Sequence, residues 1–136
     1  HVAGIIASHV NNGIGVAGIA SKAVTIMNYK VFTNNPAIIP TCQSGSLCTT
    51  STLVANAIHD AIKSENGAKV INLSLGRLAS GSDSKTDEIY RNAIAQAVAA
   101  GAVVVMAGGN SSNTVGAQLI DDSNFTVIPA RYGKDF

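Results

Sequence analysis

Three near-continuous apolar runs constrain this chain most: "AVTIMNYKVF" (23–32), "AKVINLSLG" (68–76) and "AVVVMAGGN" (102–110). A strand that is apolar on both faces belongs in a parallel sheet covered by helices. "NFTVIPA" (124–130) is a weaker fourth run. The segments between them read as helices. "TLVANAIHDAIKS" (52–64) places Leu53, Ala57, Ile58, Ala61 and Ile62 on one stripe, with Ser51 or Thr52 as its N-cap. "DEIYRNAIAQAVAAG" (87–101) opens on acids suited to a helix N-terminus and stops at Gly101. "VAGIIASH" (2–9) makes a shorter helix. The order helix, strand, helix, strand, helix, strand, strand predicts an α/β domain with a parallel sheet, flanking helices and right-handed crossovers. The polar segments 33–50 and 77–86 fall where strands end, the edge at which such sheets bind ligands.

The 136 residues suffice for one domain with a substantial core. With 46% hydrophobic and 12% charged residues, the chain is not of the disordered class. A net charge of +1 without a basic cluster argues against nucleic acid as a partner. All eight acids fall at or after Asp60. The chain opens on His1, without Met or a basic leader, as a processed product or an excised piece would.

Ala93 to Gly109 is long and apolar, but it is short for a bilayer and Gly101 interrupts it. Helical spacing before Gly101 gives way to β-branched residues after it, so a helix, a turn and a strand are expected rather than a membrane span. Cys42 and Cys48 lack two further zinc ligands nearby. A short disulfide in a secreted protein is the expectation, with two free thiols as the alternative.

Local motifs leave no complete active site. "GIGVAG" (13–18) is a formal G-x-G-x-x-G, but it follows a helix, precedes a strand and has no acid downstream before Asp60. A dinucleotide site needs the opposite context. No G-x-S-x-G occurs, and His1, His9 and His59 form no spaced set with an acid and a serine. Asn110 is the exception. A strand that ends in Ala107, Gly108 and Gly109 leaves room against its backbone, and the amide just beyond offers an N–H donor of the kind an oxyanion hole uses. An Asn turn at a strand end reads equally well from these residues alone.

Four segments in order, "HVAGIIA" (1–7), "NNGIGVAGIA" (11–20), "VINLSLG" (70–76) and "VVVMAGGN" (103–110), resemble the subtilisin-like serine proteases, the subtilases. The resemblance runs from His1 to about Ala130. It implies a subtilisin-like α/β fold and a serine endopeptidase that works through an acyl-enzyme. His1 matches the second histidine of the family's H-G-T-H-V-A-G motif, which puts the catalytic histidine three residues ahead of His1. The catalytic aspartate is expected further upstream and the nucleophilic serine, in G-T-S-x-A-x-P, downstream of Phe136. Residues 1–136 then read as a partial catalytic domain, inactive alone, whose partners are a peptide or protein substrate and the rest of the protease domain. A non-catalytic peptide-binding module or pseudoprotease remnant is the alternative.

In this resemblance Asn110 matches the oxyanion asparagine. Ala107, Gly108 and Gly109 match one side of the pocket for the residue before the scissile bond, and Ser74, Leu75 and Gly76 match its other side. Leu47, Cys48 and Thr49 fall loosely near a second substrate-flanking strand. "VNNGIGV" (10–16) resembles the family's calcium loop, with the Asn12 side-chain oxygen and the carbonyls of Val10, Ile14 and Val16 as ligands. A glycine-rich connector without metal is the other reading. The family also implies a secreted or cell-surface location.

Overall fold

The computed structural model describes residues 1–79, 84–110 and 126–135. In chain order these form helix α1 (Val2–Ala7), a 3-10 turn (Ser21–Ala23), helix α2 (Ser51–Ala61), strands β1 (Val70–Leu73) and β2 (Arg77–Ala79), helix α3 (Ser84–Ala99), strands β3 (Val103–Met106) and β4 (Thr126–Ile128), and a 3-10 segment (Ala130–Asp135).

β1 and β3 pair in parallel, Val70 with Val103 through Leu73 with Met106. This is the sheet the two strongest apolar runs predict, and α2 and α3 pack beside it, giving the partial α/β arrangement. The join between α3 and β3 follows from Gly101. Its φ of 82° is left-handed, so Gly101 N–H reaches Val98 O at 2.9 Å and Ala102 N–H reaches Ala97 O at 3.0 Å. That closure is the Schellman type. It delivers Val103 directly to Lys69 O at 2.9 Å, so the strand starts in register two residues after the turn. Ala93–Gly109 is therefore a helix end, a turn and a strand. No helix among the described residues is long and apolar enough to cross a membrane.

One core sits between the helices and the sheet. Val54, Ala55, Ile58 and Ala61 of α2 meet Tyr90, Ala93, Ile94 and Ala97 of α3, with Ile71, Leu73, Ala102, Ile128 and Tyr132 closing the cluster. Ala93 and Ala97 are fully buried, and their small side chains let the two helices approach closely. Removing Ile58 or Ile94 side chains here would cost about 2–5 kcal/mol.

Several expectations are corrected. The buried stripe of α2 is rotated toward Val54 and Ala55, leaving Leu53, Ala57 and Ile62 only half-buried, because α3 covers α2 as well as the sheet. The N-cap is Thr50, whose Oγ1 accepts from Leu53 N at 3.1 Å, rather than Ser51 or Thr52. α1 stops at Ala7 instead of residue 9, and α3 begins at Ser84, ahead of its acids. Residues 24–32 run without a strand ladder. Tyr29 and Val31 pack against the core, while Val24, Ile26 and Met27 stay exposed. β2 lies in the segment read as a polar loop and pairs antiparallel with β4, so the fourth run does not extend the parallel sheet. Residues 80–83 of that loop, and Asn124 and Phe125 of that run, lie outside the described residues.

The sheet is also covered on one face only among the described residues. Ile71 and Leu73 are buried beneath the helices, whereas Val70 (62% exposed), Val103 (60%) and Val105 (49%) present an open apolar face.

Candidate functional site

Residues after β1 and β3 leave the sheet side by side. Leu73 and Met106 are the last register pair, and one further bond, Ala107 N–H to Leu73 O at 3.1 Å, carries the pairing past it. Ser74, Leu75 and Gly76 follow β1, and Ala107, Gly108, Gly109 and Asn110 follow β3, so both segments leave from the same end of the sheet. Leu75 is half-buried and packed against the core, which anchors the first segment between exposed Ser74 and Gly76. Ser74 Oγ accepts from Asn72 Nδ2 at 2.8 Å. All four residues of the second segment are exposed. Gly109, immediately before Asn110, has a φ of 94°, a conformation that L side chains adopt only with strain. The two groups singled out in the sequence thus share one sheet edge, formed by chain order and register alone.

Beside this edge lies an open cavity of about 440 Å³. Leu75 and Gly76 line it together with Phe32, Thr49, Thr50, Ser51, Arg77 and Tyr90. The N-terminus of α2 forms one wall, positioned by the Thr50 cap. Thr49 Oγ1 is buried there with no hydrogen-bond partner among the described residues. Tyr90 is 5% exposed, and burial pushes its phenol above the usual range while the positive charge of Arg77 opposes that shift. Sequence reasoning missed Phe32, Thr50, Ser51, Arg77 and Tyr90. Only the Thr50 cap had a local signal, the hydroxyl run before an apolar stripe.

The approach to Thr49 is held by the chain before it. Thr33 and Cys48 exchange two backbone hydrogen bonds, each of 2.9 Å, and Cys42 and Cys48 are joined as a disulfide with a Cα–Cα distance of 5.8 Å. The expected bridge is therefore present, and Leu47 within its loop is 67% exposed.

The loop after α1 folds back onto the helix. Gly18 N–H, Ile19 N–H and Ala20 N–H donate to Ser8 O, Ile5 O and Ile6 O at 3.0, 3.0 and 2.7 Å. Val10 N–H donates to Ser21 Oγ at 3.3 Å, and Ile14 N–H donates to Asn12 Oδ1 at 3.1 Å. Asn11, Gly13 and Gly15 all have left-handed backbones. Val10, Asn12, Ile14 and Val16 thus offer one amide oxygen and three peptide carbonyls on a single tight loop. These donors fit a hard cation in kind, but fall short of the roughly six to eight oxygens calcium takes and include no carboxylate. No group of three or more His, Cys, Asp or Glu side chains suited to a metal occurs among the described residues. His1 and His9 are exposed, and His59 is half-buried within α2.

A parallel pair whose strands are followed by Ser-Leu-Gly and Ala-Gly-Gly-Asn, with two helices packed beside it, is a partial α/β arrangement. The chain is a member of the subtilase family, which it matches over residues 1–132. It is 41% identical to thermitase of Thermoactinomyces vulgaris over 84% of its length. It is 37% identical to the thermophilic serine proteinase of Bacillus sp. strain AK1 over 96%, and 35% identical to an extracellular protease of Xanthomonas campestris pv. campestris over 88%. These matches cover 34%, 27% and 19% of the respective relatives, so the chain spans about a third of their length or less. No solved structure gives a significant match.

Proposed function

We propose that this chain is part of a serine endopeptidase that cleaves peptide bonds through an acyl-enzyme, and that it supplies the oxyanion amide and part of the substrate cleft. The observation that carries this reading is the shared edge: Ser74–Gly76 and Ala107–Asn110 emerge together because Leu73 and Met106 are in register. A substrate backbone laid along Ser74, Leu75 and Gly76 adds like a further strand, exchanging main-chain hydrogen bonds. The small residues Ala107, Gly108 and Gly109 leave space on the other side for the side chain before the scissile bond.

When a serine hydroxyl from the rest of the protease domain attacks that bond, the carbonyl oxygen gains negative charge. The Asn110 side-chain N–H stabilises that charge, and it gains most in the transition state because the ground-state carbonyl bears less charge. The packed run behind it, Val104 and Met106 against the core, keeps the amide from drifting. Replacing Asn110 by Leu in the whole protease tests the assignment: kcat should fall while KM changes little, and an unaltered kcat in folded protein would overturn it.

The open face of Val70, Val103 and Val105 is the surface on which the rest of the protease domain packs, since a parallel sheet is normally covered on both sides. Calcium is proposed at Val10, Asn12, Ile14 and Val16 as a structural ion, with its remaining ligands outside this loop. Added calcium should raise the thermal midpoint and Asn12→Ala should abolish the rise; equal midpoints with calcium and with chelator would refute the site. An extracellular location is proposed, in keeping with the Xanthomonas relative's name and the disulfide.

A further inference from the structure

Two asparagines in this chain precede glycine, Asn12–Gly13 and Asn66–Gly67, and the fold treats them oppositely. An Asn-Gly pair can cyclise. The backbone nitrogen of the glycine, losing its proton to water or hydroxide, bonds to the asparagine Cγ; the Cγ–Nδ2 bond breaks and ammonia leaves. The resulting succinimide takes up one water across either C–N bond of its ring, giving aspartate or isoaspartate. The net change is one water consumed and one ammonia released.

At Asn12 every part of this step is open. The residue is exposed, and Ile14 N–H donates to Oδ1 at 3.1 Å, which folds the side chain back over its own backbone and polarises the carbonyl under attack. That donor also meets the negative charge that grows on Oδ1 as the bond forms, as an oxyanion donor would. Gly13 N–H has no acceptor among the described residues, and a Cβ placed on Gly13 would meet nothing within 4 Å, so the nucleophile is unshielded.

At Asn66 each part is blocked. Nδ2, the leaving group, donates to Asp60 O at 2.7 Å and Asp60 Oδ2 at 3.2 Å, and lies 3.4 Å from Tyr29 Oη. Gly67 N–H, the nucleophile, is bound to Lys63 O at 2.8 Å in the turn that ends α2. Reaction there requires that turn to open.

We propose that Asn12 is a site of spontaneous deamidation built by the loop, whereas the fold protects Asn66. The product places a carboxylate in a region whose first 59 residues otherwise carry no acid. It also replaces a neutral oxygen donor on the loop by a charged one.

The test uses the whole protease, serine-inhibited and folded, in mildly alkaline buffer with chelator, against a matched sample in concentrated urea. Peptide mapping by mass spectrometry reads the conversion of amide to acid at both asparagines, with isoaspartate as the diagnostic product. In folded protein Asn12 should convert at least about tenfold faster than Asn66, a ratio that needs only about 1.4 kcal/mol of local opening at the Asn66 turn. In urea the two rates should come within about threefold, since the protecting bonds are gone. Equal rates in folded protein, an Asn12 that stays amidated there, or an unchanged ratio in urea would each overturn the proposal.

Discussion

Ala107 donates its backbone N–H to the carbonyl of Leu73 at 3.1 Å, one step beyond the last register pair of the parallel sheet. This bond holds the two strand ends together where the side chains shrink to Ala-Gly-Gly, and it fixes the starting point from which Asn110 is reached. Asn110→Leu keeps the approximate volume and removes the N–H donor, so it tests the chemistry without disturbing the strand behind. In the whole protease kcat should fall about 10²–10³-fold with KM little changed. That magnitude is the one known for the oxyanion asparagine of a subtilisin, a member of the same family. The check is a steady-state kinetic comparison on a peptide substrate, with circular dichroism to establish folding. A kcat within about threefold of the parent's would remove Asn110 from the oxyanion role.

What the sequence made legible was the layout of long, strongly patterned segments. β1 and β3 announce themselves as apolar runs, and α3 as a stripe that Gly101 ends, because periodicity and chain breakers are local properties. Residues 24–32 carry the same strand-like composition yet form no ladder, since pairing depends on an available neighbouring edge, which composition does not encode. β2 is three residues, too short for a period to show, and the fourth run marked β4 but not its antiparallel pairing with β2. At Thr49–Thr52, four consecutive hydroxyl residues could each cap α2. Thr50 is selected by the turn that puts Val54 and Ala55 into the core. The residues after β1 and β3 were legible as the ends of two apolar runs, while their assignment to one substrate cleft came from the family resemblance. The cavity wall was not, because Phe32, Thr50, Arg77 and Tyr90 come from separate elements and meet only after folding.

Tyr29 ties the extended segment to the end of α2 through its hydroxyl, which donates to Asp60 Oδ2 at 2.9 Å, while Lys63 Nζ pairs with Asp60 Oδ1. The Lys63 ammonium first, then the Tyr29 hydroxyl, hold the Asp60 carboxyl below the usual carboxylate range. A depressed folded-state value means that this contribution is present above the unfolded value of about 3.9 and is lost as the pH falls through the folded one. Lys63 is raised, chiefly by Asp60, so its contribution is complete below about 10.4 and fades as the pH rises through its folded value. Both groups are largely solvated, so the effect is small. Urea midpoints measured from pH 2 to 7 should show the acid limb flatten in Asp60→Asn, and an identical slope in parent and variant would contradict the linkage.

The Cys42–Cys48 bridge closes a short loop just before Thr49 and the α2 cap. By the loop-entropy account such a closure contributes about 2 kcal/mol. Alkylation of folded protein without reductant should add nothing at either cysteine, and two added groups would show free thiols. The double change Cys42→Ser with Cys48→Ser should lower stability by about that amount, read as a shifted urea midpoint at constant slope. The Thr33–Cys48 backbone pairing stays available in the variant, so the cavity wall should loosen rather than collapse.

Gly18 is buried where the loop returns to α1, and its N–H donates to Ser8 O at 3.0 Å. A Cβ on Gly18 would lie 2.3 Å from Ser8 N and 2.8 Å from the carbonyl carbon of Ala7, and both are backbone atoms that cannot swing aside. Gly18→Ala must therefore push the loop off the helix or break its three closing bonds. A cost of about 1–3 kcal/mol follows from overpacking at a site of this kind. Gly4→Ala is the control on the same helix, since its nearest contact is Ser8 Oγ at 3.4 Å, a side-chain atom with room to move. Within a helix that change should be neutral or gain up to about 1 kcal/mol from reduced backbone freedom in the unfolded chain. Differential scanning calorimetry of both variants of the whole protease should lower the midpoint for Gly18→Ala and leave it level or higher for Gly4→Ala. If both lie within error of the parent, the loop does not sit against α1 as described.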